Sequence, residues 1–255
     1  MSDTIKKSDA IANVGPKKIL EEYNIYSIPI EDFFQTAFSV DCAVYGFDNE
    51  DLKVLLIQRD AEPYKDAWAL PGDLVYPNED LGAGANRVLS DLTGLRNIYM
   101  EQARTFGQLN RHPLGRVITI AYYALVNINY YNPKSSSWAK NAHWHSLEDL
   151  PQLAFDHGEI ICKTLETLRA KVRHQPVGFE LLPRTFPLGA LQRLYEVLLN
   201  KKFDKANFRK KILSMNLLVD TGKTEQDVPH RPGRLYSFDK ERYDELIAKG
   251  FSFEL

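Results

Sequence analysis

Hydrophobic positions recur with two different periods along this chain, and the alternation between them sets out its elements. From residue 37 the segments FSVDCAVYGF and LKVLLIQR are rich in β-branched and aliphatic residues and flank the acidic turn DNED, which predicts a β-hairpin. NIYMEQARTFGQ and RVITIAYYALVNI read as two further strands joined by LNRHPLG, a turn marked by Pro and Gly. Between these pairs the spacing becomes helical. Ala85, Val88, Leu89 and Leu92 recur three and four apart, an apolar stripe that predicts a helix over 81–92 packed on a sheet and ended by Gly94. NAHWHSLEDLP reads as an edge strand, and HGEIICKTLETLRAKV as an amphipathic helix to about residue 172. Strands with a helix on either side predict an α/β/α sandwich with a mixed sheet.

Past that helix the grammar changes. HQPVGFELLP predicts an extended linker, because each proline biases the residue before it away from helix. Leu188, Leu191, Tyr195 and Leu198 then share one side of a helix, with Thr185 as its expected cap and Pro187 in its first turn. Asp204 is the expected N-cap of a second helix, KANFRKKILSMN, with Phe208, Ile212 and Met215 facing inward and Lys205, Ala206, Arg209 and Lys210 outward. LLVDTG and HRPGRLYSF around the polar tip KTEQDVP predict a hairpin. Helix, helix and hairpin in this order make a winged helix-turn-helix. The division expected is therefore an extension at 1–36, with a short helix at 16–23 and the aromatic pair Phe33 and Phe34, an α/β domain at 37–174, a linker at 175–182 and a winged helix-turn-helix domain at 183–255.

Charge changes the picture in one place. The 255 residues carry a formal net charge of −2, yet residues 184–238 hold eleven Lys or Arg against five Asp or Glu. A basic segment in an otherwise acidic chain marks a nucleic-acid face. Lys205, Asn207, Arg209 and Lys210 would read or position DNA, and Lys211, His230, Arg231 and Arg234 would hold the backbone. Cys42 and Cys162 lie far apart in hydrophobic contexts, which predicts buried free thiols rather than a disulfide or a metal site. His143 and His145 share a strand face, but two histidines on such a face are more often solvated than ligating, so no metal is assigned. The polar start MSDTIKKSD and the lack of a long apolar run point to a cytoplasmic protein away from membranes.

Residues 70–95, LPGDLVYPNEDLGAGANRVLSDLTGL, resemble the Nudix box of hydrolases that cleave nucleoside diphosphates linked to another group. Aligned on Arg87 and Gly94, the family's first glycine falls on Asp73 and its loop glutamate on Glu79. The three glutamates of the family's helix fall on Val88, Asp91 and Leu92. Magnesium binds through carboxylates and dehydrates reluctantly, so a site with one carboxylate of three should neither hold the ion nor generate a hydroxide. The expected outcome is retained architecture, no catalytic residues and no resident cofactor. The competing enzyme reading is a diphosphatase that recruits its base outside the helix, at Glu79 or Glu101.

LLPRTFPLGALQRLYEVLLNKKFDKANFRKKILSMNLL followed by HRPGRLYSF resembles the C-terminal half of the Nudix-related transcriptional regulators, so both parts of the chain occur in that family's order. The resemblance implies a homodimer that binds a palindromic double-stranded DNA operator and senses a small molecule in a Nudix-like domain. Two branches are similar to this chain: one senses ADP-ribose and regulates NAD metabolism, the other governs sugar utilisation. RVLSDLTGL and NIYMEQARTFGQLNRHPLGRVITIAYYALV favour the sugar branch, which implies a repressor released by a pentose such as arabinose. Arg59, Arg104, Arg111 and Arg116 could neutralise a diphosphate; Asp91, Glu101, Gln108 and Asn110 could bind the hydroxyls of a neutral sugar.

Overall fold

The computed structural model describes residues 35–226, 229 and 231–255. The expectations for the extension at 1–34, including Phe33 and Phe34, and for His230 lie outside these residues.

Strands β1 (Ala37–Phe47) and β2 (Leu52–Arg59) form the expected antiparallel hairpin, with Phe47 opposite Leu52. Its turn is built by Asp48, whose Oδ1 accepts the N–H groups of Glu50 and Asp51 at 3.0 and 2.8 Å, while Asn49 takes a left-handed conformation. The short strands β3 (Trp68–Ala69) and β4 (Gly72–Leu74) pair with β2 and β1. Helix α1 (Leu81–Thr93) follows and ends at Gly94 with φ 69°. β5 (Glu101–Phe106) and β6 (Val117–Asn127) pair antiparallel, and β7 (Ala139–Ser146) pairs with β2. The order across the sheet is β3-β2-β1-β6-β5, with β4 added on β1 and β7 on β2.

Period two along β1 distributes its side chains between the two faces. Val40, Cys42 and Val44 join Ala85, Val88, Leu89 and Leu92 of α1 in one buried cluster. Ala43, Tyr45 and Phe47 join Ile160, Ile161, Leu168 and Val172 of helix α2 (His157–His174) in the other. β1 is buried on both faces, so it reads as an almost continuous apolar run.

The winged helix follows in the expected order: α3 (Leu188–Leu199), α4 (Lys205–Ser214) and the hairpin β9 (Leu218–Thr224) and β10 (Arg234–Phe238). Three local expectations need correction. Residues 175–182 are not an extended linker: Val177–Leu181 form a 3-10 turn, and Phe179, Leu181 and Leu182 are buried in a core continuous with that of α2 and α3. An apolar segment gains more from burial than from reach. Thr185 does not cap α3, which starts after Pro187, because Phe186–Pro187 pair with β10 as a short strand, β8. Cys42 is buried as expected but Cys162 is exposed, since on α2 it falls outside the inward stripe of Ile160, Ile161, Thr164 and Leu168. A further helix, α5 (Lys240–Ala248), was not anticipated; Asp239 caps it by accepting the N–H of Arg242, and Phe253 beyond it is fully buried. Among the described residues no helix is long and apolar enough to cross a membrane.

Candidate functional site

The Nudix-like box keeps its loop and loses its ion site. Glu79 and Arg87 form a multidentate pair, with Nε to Oε2 at 2.9 Å and Nη2 to Oε1 at 2.6 Å. The Arg87 guanidinium also donates to the Leu74 carbonyl at 2.8 Å and lies 3.8 Å from the centre of the Tyr76 ring. The arginine holds the Glu79 carboxyl down at about 2, so this group is a committed anion that ties the loop to the helix, not an idle base. Val88 and Leu92 are each 1% exposed and packed against the sheet, and Asp91 stands exposed, 4.0 Å from Arg87. Two aliphatic side chains turned into the core do not fit a magnesium site, and no group of His, Cys, Asp and Glu suited to a metal occurs among the described residues. Glu101, the other base considered, is paired with Lys171 and accepts the Tyr123 hydroxyl at 2.9 Å.

Beside the box lies a cavity of about 290 Å³ lined by the ends of several elements. Arg59 closes β2 and enters it. Its Nε donates to the Pro63 carbonyl at 2.8 Å, and its guanidinium carbon lies 4.8 Å from the ring centre of Trp138 and 5.0 Å from that of Phe155. The residue is 9% exposed, and no carboxylate among the described residues comes within ion-pair distance of it. Burial draws its proton affinity down while the more distant Asp73, Asp41 and Glu62 oppose this. Phe155 holds φ 50°, unusual for a bulky side chain, and stacks on His112 with ring centres 5.1 Å apart.

The floor carries Asp41, His157 and Arg111. The Leu70 N–H donates to His157 Nδ1 at 2.9 Å, which places the proton of the neutral imidazole on Nε2, 3.6 Å from Asp41 Oδ2. Burial lowers His157 to about 3 and pushes Asp41 up to about 7, the latter against the pull of Arg111. Arg111 is committed elsewhere: its Nε and Nη2 donate to Asp156 at 2.8 and 2.5 Å, and its Nη1 to Thr119, leaving Asp41 4.0 Å away. Gly72 of β4 pairs directly with Asp41 of β1, and a Cβ there would stand 1.8 Å from the Asp41 Oδ1. Only glycine leaves room for the carboxyl.

Of the eight effector residues expected from sequence, the structure brings Arg59 and Arg111 together here. Asp91 lies at the exposed end of α1, and Arg104 is on the surface, 3.9 Å from Glu166. Glu101 lines a different cavity of about 520 Å³ beside β6 and α2. Gln108 is exposed, Asn110 makes a left-handed turn, and Arg116 donates to the carbonyls of Gly107 and Gln108, so these three shape the 107–116 loop. Asp41, Trp138, Phe155 and His157 were missed. The one signal for them was the lone acid in the apolar run FSVDCAVYGF.

The DNA-binding candidates among the described residues lie on α4 and the wing. Asp204 accepts the N–H of Asn207 at 2.9 Å and caps α4. Phe208 and Ile212 are buried, and Lys205, Asn207, Arg209, Lys210 and Lys211 are all exposed on its outer side. Arg231 and Arg234 are exposed at the return strand of the wing, Arg234 being held by Asp220 at 3.0 Å.

Comparison with known proteins agrees with both halves. Residues 36–164 match the NUDIX domain, and residues 178–238 match the NrtR DNA-binding winged helix domain. The chain is 33% identical, over 84% of its length and 86% of the relative's, to the ADPR responsive transcriptional repressor NtrR of Acinetobacter baylyi. Shewanella oneidensis NrtR complexed with a 27mer DNA superposes with a TM-score of 0.69 at 30% identity, covering 85% of this chain and 97% of that one. The NUDIX domain of the same protein complexed with ADP ribose gives 0.50 at 30% identity, covering 58% and 97%. These likenesses overturn the expected sugar branch: the relative over most of the chain is ADP-ribose responsive, and the related Nudix domain is seen with that diphosphate. The cavity gathers Arg59 and Arg111, while the expected hydroxyl-binding residues Asp91, Glu101, Gln108 and Asn110 all lie outside it.

Proposed function

The chain belongs to the Nudix-related transcriptional regulators, a Nudix domain joined to an NrtR-type winged helix, and on that premise we propose that it is a DNA-binding repressor released by ADP-ribose. The effector occupies the cavity of Arg59, Asp41 and Arg111, and the genes controlled are those of NAD metabolism. The observation that carries this reading is Arg59, a nearly buried guanidinium facing the cavity without a carboxylate partner among the described residues. A buried cation is costly unless an anion meets it, and a diphosphate supplies one with oxygen geometry suited to guanidinium. Trp138, Phe155 and His112 give the flat surfaces a base or sugar ring needs.

The exposed side of α4 enters the major groove, with Lys205, Asn207, Arg209 and Lys210 at or near base edges and Lys211, His230, Arg231 and Arg234 on the backbone. The protein works as a cytoplasmic homodimer on a palindromic site. ADP-ribose is not hydrolysed, because the positions that would hold magnesium are Val88 and Leu92 inside the core.

Fluorescence anisotropy tests the proposal. A duplex selected by the full-length protein from a random-sequence pool should bind, weaken with added salt, and be released by ADP-ribose but not by arabinose. Retention of the duplex at saturating ADP-ribose would sink the effector assignment. Release of AMP from ADP-ribose with magnesium at an ordinary enzymatic rate would sink the claim that the domain only senses.

A further inference from the structure

Helix α2 touches both the effector cavity and the reading domain. At its N-terminus the cap residue Asp156 holds Arg111, which lines the cavity, and His157 is fixed by the Leu70 N–H at 2.9 Å. One turn further on, the buried Tyr45 hydroxyl donates to the Ile161 carbonyl at 2.8 Å. Toward its C-terminus Arg169 Nε donates to the Leu198 carbonyl at 2.9 Å. Leu198 lies in the last turn of α3, where carbonyls lack intrahelical donors and attract a cation. α3 in turn leads through the 200–204 turn into α4. Leu168 and Val172 share a core with Leu191, Leu194 and Leu198. An 18-residue helix makes a rod of about 27 Å.

β6 also runs from the cavity to the winged helix, with Asn127 donating to the Leu181 carbonyl at 2.5 Å. That strand is paired along both edges, by β1 and β5, and resists displacement. α2 lies on the face of the sheet, and at the cavity it is tied by side chains.

Resting on the reading of the cavity as the effector site, we propose that the effector acts by exchanging partners at the head of α2. A phosphate oxygen takes Arg111 from Asp156, the helix loses that tie at its N-terminus and can pivot about the one remaining at His157, and Arg169 passes the shift to α3 and so to the reading helix. Arg169 is a coupling residue: it contacts neither effector nor DNA. The ligand's leverage is its preference for the arrangement in which Arg111 is available.

A double-mutant cycle on DNA affinity tests this without any effector. In full-length protein, Asp156→Asn weakens the Arg111 pair and imitates the liganded state, so duplex affinity should fall by about tenfold. Arg169→Met should change it by less than about threefold alone, and in the double variant it should erase most of the Asp156→Asn effect. Residues 156 and 169 are about 20 Å apart along the helix, so independent effects would combine within about twofold. Multiplicative effects in the double variant, or no effect of Asp156→Asn, would overturn the proposal. Should Asp156→Asn fail to fold, Arg111→Gln cuts the same pair from the other side and replaces it in the cycle. ADP-ribose added to the wild type and to Arg169→Met separates this idea from the one beneath it. No release from the wild type, with the cycle coupled, strikes the identity of the effector and supports the helix path; equal release from both proteins strikes the path alone.

Discussion

Asp41→Asn should stabilise the protein more at pH 8 than at pH 5, because the wild-type carboxyl is buried where its charge is poorly supported. Asp41 is 5% exposed, and burial raises it from the ordinary 3.8 to about 7. Arg111 stands 4.0 Å away and cannot reverse this, since its donors already serve Asp156 and Thr119. About three powers of ten in proton affinity, at about 1.4 kcal/mol each, put the full cost of the ionised form near 4 kcal/mol. The sign follows from proton counting. Between pH 3.8 and about 7 the folded state keeps a proton that the unfolded chain releases, so stability present below pH 3.8 is lost as pH rises through about 7. His157, lowered from 6.5 to about 3, has the opposite slope: its contribution is lost as pH falls from 6.5 toward 3. The two offset each other in the wild type between pH 4 and 6.5, whereas the difference between variant and wild type cancels the shared His157 contribution. The advantage of Asp41→Asn should therefore grow by roughly 2 to 3 kcal/mol between pH 5 and pH 8. Urea denaturation of both proteins at pH 5, 6.5 and 8, with equal m-values, measures it. The same advantage at both ends of the range, or a variant less stable than wild type at pH 8, would refute the reasoning.

Three other outcomes are expected. Arg59→Met removes a charged donor from the cavity and should weaken ADP-ribose binding by roughly tenfold to a hundredfold in titration calorimetry; an unchanged affinity would place the phosphates elsewhere. Arg209→Ala should cost about 1 to 3 kcal/mol on the selected duplex and less on random DNA, if its guanidinium meets a guanine edge. Equal binding of both duplexes by wild type and variant removes it from the readout. Leu92→Glu puts back a family carboxylate at a position 1% exposed, and should lower stability by several kcal/mol without creating hydrolysis. Magnesium-dependent turnover by that variant would show that the site was only one residue from working.

The sequence by itself determined most of the elements and the family, though not the turn at 177–181, the short strand β8 or α5. Spacing of three and four in 81–92 fixed α1, Gly94 its end, and Asp204 the start of α4, because periodicity and capping act between neighbours in the chain. The apolar spacing likewise placed Val88 and Leu92 on the inward face of α1, where each is 1% exposed. Which polar residues meet was a matter of tertiary structure. Asp41, Arg59, Arg111, Trp138 and His157 come from five separate segments, and the strand order that brings β2, β1 and β6 side by side is what gathers them. The same packing drew Glu101 to Lys171, folded the supposed linker into the core and left Cys162 in solvent. Arginines and hydroxyl-binding groups were equally present among the expected effector residues, and the fold collected Arg59 and Arg111 in one cavity while leaving the other six outside it.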